Sequence, residues 1–369
     1  MKIGILTWHK ALNHGAVLQA YASQKMIERL NEKTVVLDYN RKVCDCRPLK
    51  KRLKNKIKKI FNGEILKRNI YKKFDIEKKV LFNRFIDKNL LVGKDFAQEL
   101  CDAVMVGSDM VFNLLQGYSP YMFGYGIPTD YIFSYAASAG GSTYKLAKKM
   151  KLENDIRNGL SKFKAVGCRD CETINFVKNL CPSADIYENI DPVLLYGFNE
   201  EKKTWDTGKW KTHRPYVLIY SYSGFMNAKK QTKEIIRYAT DNNLDVVSCG
   251  YYHSWCKENI NADPKEFLEM FVYADCVVTD TFHGTVFSLI NNKNFCSIIR
   301  DNGFKLKYLL EQCGLTENIA AKSKDIYNVL NTKTDYSRYD EWIDNQRTLS
   351  TDFLKGQIAN ACALKSTDK

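Results

Sequence analysis

Residues 274–288, ADCVVTDTFHGTVFS, predict a buried β-strand that passes through a short turn into a helix. Residues 276–278 are apolar and mostly β-branched, which is typical of a buried strand. Polar residues follow, and a mostly apolar helical pattern begins after His283 and Gly284. In open α/β sheets such a turn lies at the carboxyl end of the sheet, where ligands bind.

The same turn predicts an anion site beside a titratable group. A helix N-terminus presents unpaired N–H groups and the positive end of the helix dipole, and both favour an anion. His283 lies at this point, between Thr281 and Gly284. A histidine beside a bound anion is a candidate proton donor. The stretch alone leaves open the alternative that His283 only caps the helix or packs against it.

Length and composition favour a two-domain globular protein. The chain has 369 residues, of which 45% are hydrophobic and 27% charged. It has no run of 18 apolar residues, and its first residues lack the apolar core of a signal peptide, so we expect a cytoplasmic location. Twelve cysteines include one Cys-x-x-Cys, Cys168 to Cys171, without a second pair at zinc-site spacing. A reduced protein without a metal is therefore expected.

The formal net charge of +14 is concentrated in one segment. Residues 41–79 contain sixteen lysine and arginine residues and four acidic residues, a local net charge of +12. Apolar residues such as Leu53, Ile57 and Phe61 are interspersed, so the segment could rest on an anionic membrane surface. A solvated helical insertion is the alternative. Because the rest of the chain is not strongly basic, no nucleic-acid partner is expected.

Strand and helix patterns alternate through both halves of the chain, which predicts an α/β fold with two doubly wound, Rossmann-like domains facing a cleft. The absence of a GxGxxG stretch after the first strand argues against a dinucleotide-binding fingerprint. A polar linker at 197–214 separates the halves. We expect a first domain at 1–197 with a basic insertion at about 41–80, a second at 198–345 and a C-terminal helix at 346–369. The predicted strands are 3–7, 34–39, 102–107, 131–137 and 164–168, then 216–220, 245–248, 276–278 and 295–299.

Polar and charged residues stand where several predicted strands end. The carboxyl ends of parallel strands meet at one edge of a sheet, so these residues are candidates for a common site. They are Ser108, Asp109, Arg169 and Arg300, together with Asp280 before His283 and with Asn13, His14 and Gly15 at the start of the first helix.

Six of these segments together resemble the polysaccharide pyruvyltransferases. They are ALNHGAVLQAYA (11–22), VGSDMVFN (106–113), SYAAS (134–138), VGCRD (166–170), DPVLL (191–195) and TDTFHGTVFS (279–288). The resemblance implies a GT-B-like fold. It also implies transfer of the pyruvyl group of phosphoenolpyruvate (PEP) to a sugar as a ketal, with release of phosphate, in surface polysaccharide biosynthesis. PEP would then be a donor substrate, and no cofactor is expected.

The sequence departs from the family pattern at three places. Cys168 precedes Arg169 where Val or a similar residue is usual. Met110 and Phe112 stand where Gln and Trp are usual, which bears on acceptor contacts. Thr281 occupies a position where some relatives carry Arg, so a cation for PEP is missing there or comes from elsewhere.

The resemblance and the residue types assign roles. PEP is close to a trianion, so its site needs cations and N–H donors. Arg169 is the first choice, the helix start at Thr281 and Gly284 the second, and Arg300 the third. His283 is expected to donate a proton to the PEP methylene. Asp280 or Asp109 would orient His283 or accept the hydroxyl proton, although helix capping is an alternative for Asp280. The acceptor contacts expected in the first domain are Asn13, His14, Gly15 and Ser108.

The expected acceptor is a saccharide on a lipid carrier, at the inner face of the cell membrane. Two other functions stay open at this point. A GT-B glycosyltransferase would bind a nucleotide sugar instead of PEP. A membrane-surface or RNA-binding protein would use the basic segment and would not need His283.

Overall fold

Two parallel six-stranded sheets, one in each half of the chain, form the framework of the protein. The computed structural model describes residues 1–39, 65–93, 96, 99–222, 226–300 and 303–367. The larger part of the predicted basic segment, residues 41–64, lies outside the described residues. The two sheets confirm the prediction of two doubly wound α/β domains.

The first sheet has the strand order β2-β1-β3-β4-β5-β6, and each adjacent pair is parallel. The chain passes from β1 to β2 on one side and then to β3 on the other, so a topological switch point lies between β1 and β3. The strands are β1 (Lys2–Leu6), β2 (Lys33–Val36), β3 (Ala103–Val106), β4 (Ile132–Ala137), β5 (Phe163–Cys168) and β6 (Ile186–Glu188).

Helices cover both faces of this sheet, as parallel strands require. The Asn13 side chain accepts a hydrogen bond from the Ala16 N–H at 3.1 Å and caps the first helix, as predicted. The helices are α1 (His14–Arg29), α2 (Ile65–Asn89), α3 (Tyr144–Lys149), α4 (Glu153–Leu160), α5 (Cys171–Leu180), α6 (Pro192–Tyr196) and α7 (Glu201–Thr204), with 3-10 turns at Leu114–Gln116 and Pro120–Phe123.

The second sheet has the order β12-β11-β10-β7-β8-β9 and is also parallel. Its switch point lies between β7 and β10, so the predicted strand-turn-helix stretch is at the centre of the domain. The strands are β7 (Tyr216–Tyr220), β8 (Asp245–Cys249), β9 (Glu258–Ile260), β10 (Cys276–Thr279), β11 (Asn294–Ile298) and β12 (Ile319–Ala320). The helices are α8 (Lys229–Asp241), α9 (Pro264–Tyr273), α10 (Phe282–Ile290), α11 (Phe304–Gln312) and α12 (Asp325–Asn331), with a 3-10 turn at Thr316–Asn318.

A long C-terminal helix, α13 (Ser337–Thr367), returns to the first domain. Its Ser350 hydroxyl accepts a hydrogen bond from the Ile190 N–H at 3.2 Å, and Gln357 accepts one from the Tyr131 hydroxyl at 3.0 Å. The helix begins earlier than the predicted start at residue 346. Among the described residues, no helix combines the length and apolar composition needed to cross a membrane.

The two domains share buried polar contacts as well as apolar ones. His14 is fully buried, its Nε2 donates to the Ala262 carbonyl at 2.9 Å, and its ring stacks on Phe267 at 4.4 Å between ring centroids. Lys78 of α2 is 1% exposed and donates to the Gly250 carbonyl at 2.9 Å. Burial lowers the pKa of Lys78 to about 8. Lys78 is therefore a buried cation in the interface between the domains, and its ammonium group donates one hydrogen bond there.

Lys78 makes stability depend on pH. Because its folded-state pKa of about 8 lies below the usual lysine value of 10.5, the unfolded state holds the proton more tightly, and stability should rise between these two pH values. At pH 7 we expect the free energy of unfolding of Lys78→Met to exceed that of the wild type by up to about 3 kcal/mol. This difference should shrink towards pH 10. Thermal unfolding at both pH values measures this difference.

Lys79→Met is the matched control, because Lys79 is exposed on the same helix. It should show no such pH-dependent difference from the wild type. A difference between Lys78→Met and the wild type that stays constant from pH 7 to pH 10 would show that Lys78 does not titrate in this range.

Candidate functional site

The carboxylate of Asp191 joins the two domains at the carboxyl edges of their sheets. Asp191 caps the short helix α6 through the Val193 N–H at 3.0 Å and is completely buried. Its Oδ2 accepts a hydrogen bond from Arg169 Nη1 at 2.6 Å and lies 3.5 Å from His283 Nε2. Burial alone raises the pKa of Asp191, but His283 and Arg169 outweigh burial and hold that pKa below its usual value. Asp191 is therefore an ionised carboxylate shared by an arginine and a histidine.

His283 enters this site from the second domain, in the first turn of α10. The ring packs directly against the backbone of Gly15 in α1, where a Cβ atom would lie 2.2 Å from His283 Cγ. Only a glycine leaves room for the ring in this position. Gly15, predicted to contact the acceptor, thus lies against the candidate proton donor.

Asp109 belongs to the same cluster but contacts Arg169 instead of His283. Its Oδ1 is 3.5 Å from Arg169 Nη2. Burial tends to raise the pKa of Asp109, while the charges of His283, Arg169 and Lys305 lower it further than burial raises it. The structure thus brings Asp109, Arg169 and His283 together, as their places at strand ends suggested. The carboxylate within reach of the histidine is Asp191, not Asp109 or Asp280.

Asp280 and Arg300 form a second charged pair at the end of β10. The two side chains are in contact, and Asp280 Oδ2 also accepts a hydrogen bond from the Ser221 hydroxyl at 2.9 Å. The helix cap expected from Asp280 is provided by Thr281. Arg300 is therefore bound to a carboxylate of its own domain.

The start of α10 was expected to bind phosphate through backbone N–H groups. The Gly284 N–H instead donates to the Thr281 hydroxyl at 2.9 Å, and Thr281 is 5% exposed. A Cβ atom at Gly284 would lie 2.1 Å from Thr279 Oγ1, so the glycine permits close packing of helix and strand. These contacts leave fewer N–H groups for an anion than the sequence suggested.

The acceptor contacts predicted in the first domain have different surroundings. The Asn13 side chain donates to the Tyr222 hydroxyl at 2.8 Å, close to the site. Ser108 is fully buried and donates to the Ala136 carbonyl at 2.9 Å. His14 is fully buried in the domain interface. Asn13 is thus placed to meet a ligand, while the side chains of Ser108 and His14 are occupied by packing and backbone contacts.

Two cavities flank the cluster, and Lys305 lies in the wall of both. One cavity is formed by both domains and by α13, and its wall includes Arg169, Asp191, Phe282, Lys305, Tyr308 and Trp342. The other lies mainly on the first domain, and its wall includes Met110, Asn113, Ser138 and Gly140, with Lys305 from the second domain. The structure thus places the charged cluster in a cleft between the domains.

Sequence reasoning missed Asp191 and Lys305 as site residues. Asp191 stands in the DPVLL segment, and an Asp before a Pro is typical of a helix start, so the local sequence does not show that it also meets Arg169 and His283. Lys305 carries no local signal, because a lysine near the start of a helix is ordinarily solvated. Its place in the site follows only from the packing of α11.

The other histidines and the cysteines have structural surroundings. His9 and His253 are 2% and 1% exposed, and His253 Nε2 is 2.9 Å from the Ser221 carbonyl oxygen. The cysteines for which the structure describes the side chain are all free thiols, Cys168 and Cys171 among them. Among the described residues, no group of three His, Cys, Asp or Glu side chains could hold a metal ion. That the protein needs no metal stays a prediction.

The fold and the cleft define a two-domain, GT-B-like protein with its charged cluster between Rossmann-like domains. The family model of the polysaccharide pyruvyl transferases matches residues 13–302. The chain belongs to the polysaccharide pyruvyl transferase family. No curated protein sequence matches it significantly.

Solved structures share the architecture at low sequence identity. UDP-GlcNAc 2-epimerase from Neisseria meningitidis, bound to UDP-GlcNAc, is 11% identical, with a TM-score of 0.52 over 98% of this chain and 100% of that chain. UDP-N-acetylglucosamine 2-epimerase from Rickettsia bellii is 11% identical, with a TM-score of 0.51 over 97% of this chain and 96% of that one. At this identity, the similarity shows the fold alone.

The contact between Gly15 and His283 predicts a specific effect of one added methyl group. In Gly15→Ala, the new Cβ overlaps the imidazole, so the ring must move. A displacement of about 1 Å at a reacting group reduces turnover by about 10²-fold. We expect the Gly15→Ala protein to fold and to lose about 10²-fold in steady-state turnover.

Gly356→Ala is the control, because no atom lies within 4 Å of the corresponding Cβ position on α13. It should leave turnover unchanged and raise stability by up to about 1 kcal/mol. Wild-type turnover in a folded Gly15→Ala protein would contradict the described ring position.

Proposed function

We propose that the protein transfers the pyruvyl group of PEP to a sugar as a ketal, in the biosynthesis of a surface polysaccharide. The observation that carries this proposal is the carboxylate of Asp191, which holds Arg169 of the first domain and His283 of the second at one point of the cleft. In a pyruvyl transferase these groups supply an anion contact and a proton donor side by side.

The donor requires cations and a dry, preorganised site. PEP carries a carboxylate and a phosphate, and the Arg169 side chain is 3% exposed. Two of its guanidinium nitrogens, Nε and Nη2, are buried without a hydrogen-bond partner among the described residues, and Nη2 has only a 3.5 Å ionic contact with Asp109 Oδ1. Buried donors without partners are costly, so these N–H groups are available for an anionic substrate.

In the proposed reaction, one side chain donates a proton to a carbon atom of PEP. His283, which lies 3.5 Å from Asp191, protonates the methylene of PEP while one sugar hydroxyl attacks the central carbon. The C–O bond to phosphate breaks, and a second, neighbouring hydroxyl adds to the same carbon. One of the two hydroxyl protons returns to His283 and replaces the proton that it gave to the methyl group. The other leaves on phosphate.

The cavity on the first domain suits a saccharide acceptor. Its wall includes the exposed amide side chain of Gln116 and the small residue Gly140, beside Met110. Amide groups exchange hydrogen bonds with sugar hydroxyls in both directions. We therefore assign this cavity to the acceptor and the charged cluster to the donor.

Release of phosphate from PEP, measured with a panel of saccharides that includes lipid-linked ones, tests the proposal. PEP-dependent release that requires an acceptor is the expected result. Consumption of UDP-GlcNAc or another nucleotide sugar, without any reaction of PEP, would favour the glycosyltransferase alternative instead.

His283→Ala should lower turnover by about 10²–10⁴-fold, because it removes the proton donor. His213→Ala is the control, since His213 pairs with Glu258 at 3.4 Å and has no contact with the cluster. Turnover close to that of the wild type in a folded His283→Ala protein would exclude His283 as the acid.

We also propose that the acceptor is lipid-linked and that the basic segment brings the enzyme to the inner face of the membrane. The segment has a local net charge of +12 over residues 41–79, and each basic residue near an anionic surface contributes about 1 kcal/mol, screened by salt. We expect salt-reversible co-sedimentation with anionic vesicles and little with neutral ones. A variant with seven Gln replacements should no longer co-sediment with anionic vesicles. The replaced residues are Lys50, Lys51, Arg52, Lys54, Lys56, Lys58 and Lys59.

The control replaces seven exposed lysines elsewhere by Gln, which changes the net charge equally. These are Lys145, Lys148, Lys149, Lys151, Lys229, Lys230 and Lys233. This variant should still bind the vesicles, and turnover of a water-soluble acceptor should be similar in both variants. A wild type that stays in the supernatant with anionic vesicles at low salt would contradict the membrane role.

A further inference from the structure

A third cavity opens at the carboxyl ends of β1 and β2, on the same edge of the first sheet as the acceptor cavity. Thr7 follows β1 and Asp38 follows β2, and these two strands are parallel neighbours. The cavity has a volume of about 300 Å³, at the lower end of the range of ligand pockets, about 300–1,000 Å³. Its wall includes Thr7, Trp8, His9, Lys10, Asp38 and Tyr39. These residues are distinct from those around Asp191.

Two hydrogen-bond acceptors lie side by side in this wall. His9 is 2% exposed, and its Nδ1 donates to the Thr7 carbonyl oxygen at 3.2 Å. Burial lowers the pKa of His9, so the ring is neutral and its Nε2 offers a lone pair. This Nε2 is buried without a hydrogen-bond partner among the described residues, and it lies 3.7 Å from Asp38 Oδ1. A ligand that carries hydroxyl donors would satisfy both acceptors.

The charges and rings of the wall favour a neutral ligand. The Lys10 ammonium donates to both oxygens of Asp38, at 2.7 and 2.6 Å, so a phosphate or carboxylate would meet a balanced ion pair. Trp8 and Tyr39 are partly exposed, and their rings lie 6.2 Å apart at 56°. Such rings present flat apolar faces on which the C–H face of a sugar ring can pack. Polar groups beside apolar ring faces suit a neutral saccharide.

The cavity is also placed to receive part of the acceptor. The Thr7 hydroxyl donates to the Ser108 carbonyl at 3.2 Å, and the chain runs on from Ser108 to Met110 in the wall of the acceptor cavity. One cavity lies at the ends of β1 and β2 and the other at the ends of β3 and β4. Two strand spacings, about 10 Å, therefore separate them. An oligosaccharide lying along this edge of the sheet can occupy both.

We propose that the cavity at β1 and β2 binds a sugar unit of the acceptor other than the unit that receives the pyruvyl group. This assignment rests on the proposed function, because it takes a saccharide as the acceptor. Asp38 and His9 accept hydrogen bonds from hydroxyl groups of the bound unit, and Lys10 donates one. Trp8 and Tyr39 pack against its ring. The enzyme thus selects a chain of at least two sugar units over a free monosaccharide.

Binding to an array of defined mono-, di- and trisaccharides, measured without PEP, tests this assignment. The wild type should bind at least one di- or trisaccharide more tightly than the corresponding terminal monosaccharide. Asp38→Asn keeps the shape of the side chain but removes the charged acceptor, so its affinity for that saccharide should fall by about 10- to 100-fold. Trp8→Leu removes the flat ring face and should weaken the same saccharide by up to about 10-fold.

Glu99→Gln is the matched control. Glu99 pairs with Lys2 at the opposite, amino end of β1, so the substitution removes the same charge from the same sheet. This variant should bind the saccharides of the array as the wild type does.

Three results would overturn the assignment. The first is a wild type that binds no saccharide of the array more tightly than its terminal monosaccharide. The second is a folded Asp38→Asn protein with the saccharide affinity of the wild type. The third is an Asp38→Asn protein with a lower melting temperature and unchanged affinity, in which Asp38 only holds Lys10. Because PEP is absent, Asp38-dependent saccharide binding without phosphate release from PEP would overturn the proposed function and leave this site in place.

Discussion

The buried carboxylate of Asp191 is the interaction on which the site depends. It is completely buried, and its charge is tolerated because Arg169 donates to it at 2.6 Å and His283 lies 3.5 Å away. Removing one partner of a buried ion pair typically costs about 3–5 kcal/mol, because the other charge stays uncompensated. The three residues come from two domains, so the contact that holds Arg169 and His283 together also joins the domains at the cleft.

Glycines and buried polar groups complete this arrangement. Gly15 allows the His283 ring to lie against the first helix, and Gly284 allows that histidine's own helix to pack on β10. Away from the cluster, His14 and Lys78 are buried polar contacts across the domain interface. Burial holds the pKa of His14 well below its usual value, so this ring is neutral and structural.

Much of the fold could be predicted from the sequence because buried parallel strands have a clear composition. The apolar runs gave the strands β1, β5, β7 and β10 to within a residue or two, and Asn13 marked the first helix. Short edge strands such as β9 and β12 went unnoticed, since a few partly exposed residues carry no pattern. In the site, His283, Arg169 and Asp109 were recognised from strand ends. Asp191 and Lys305 were not, because their places in the cluster arise only from tertiary packing.

Turnover of PEP in Asp191→Asn tests the central claim most directly. The change keeps the shape of the side chain but removes the charge that Arg169 and His283 share. Glu201→Gln is the control, as Glu201 is a buried acid that accepts a hydrogen bond from Tyr21 at 2.9 Å, away from the cleft. Asp191→Asn should remain folded and lose at least about 100-fold in kcat, while Glu201→Gln should keep the kcat of the wild type. A folded Asp191→Asn protein with the kcat of the wild type would contradict that claim.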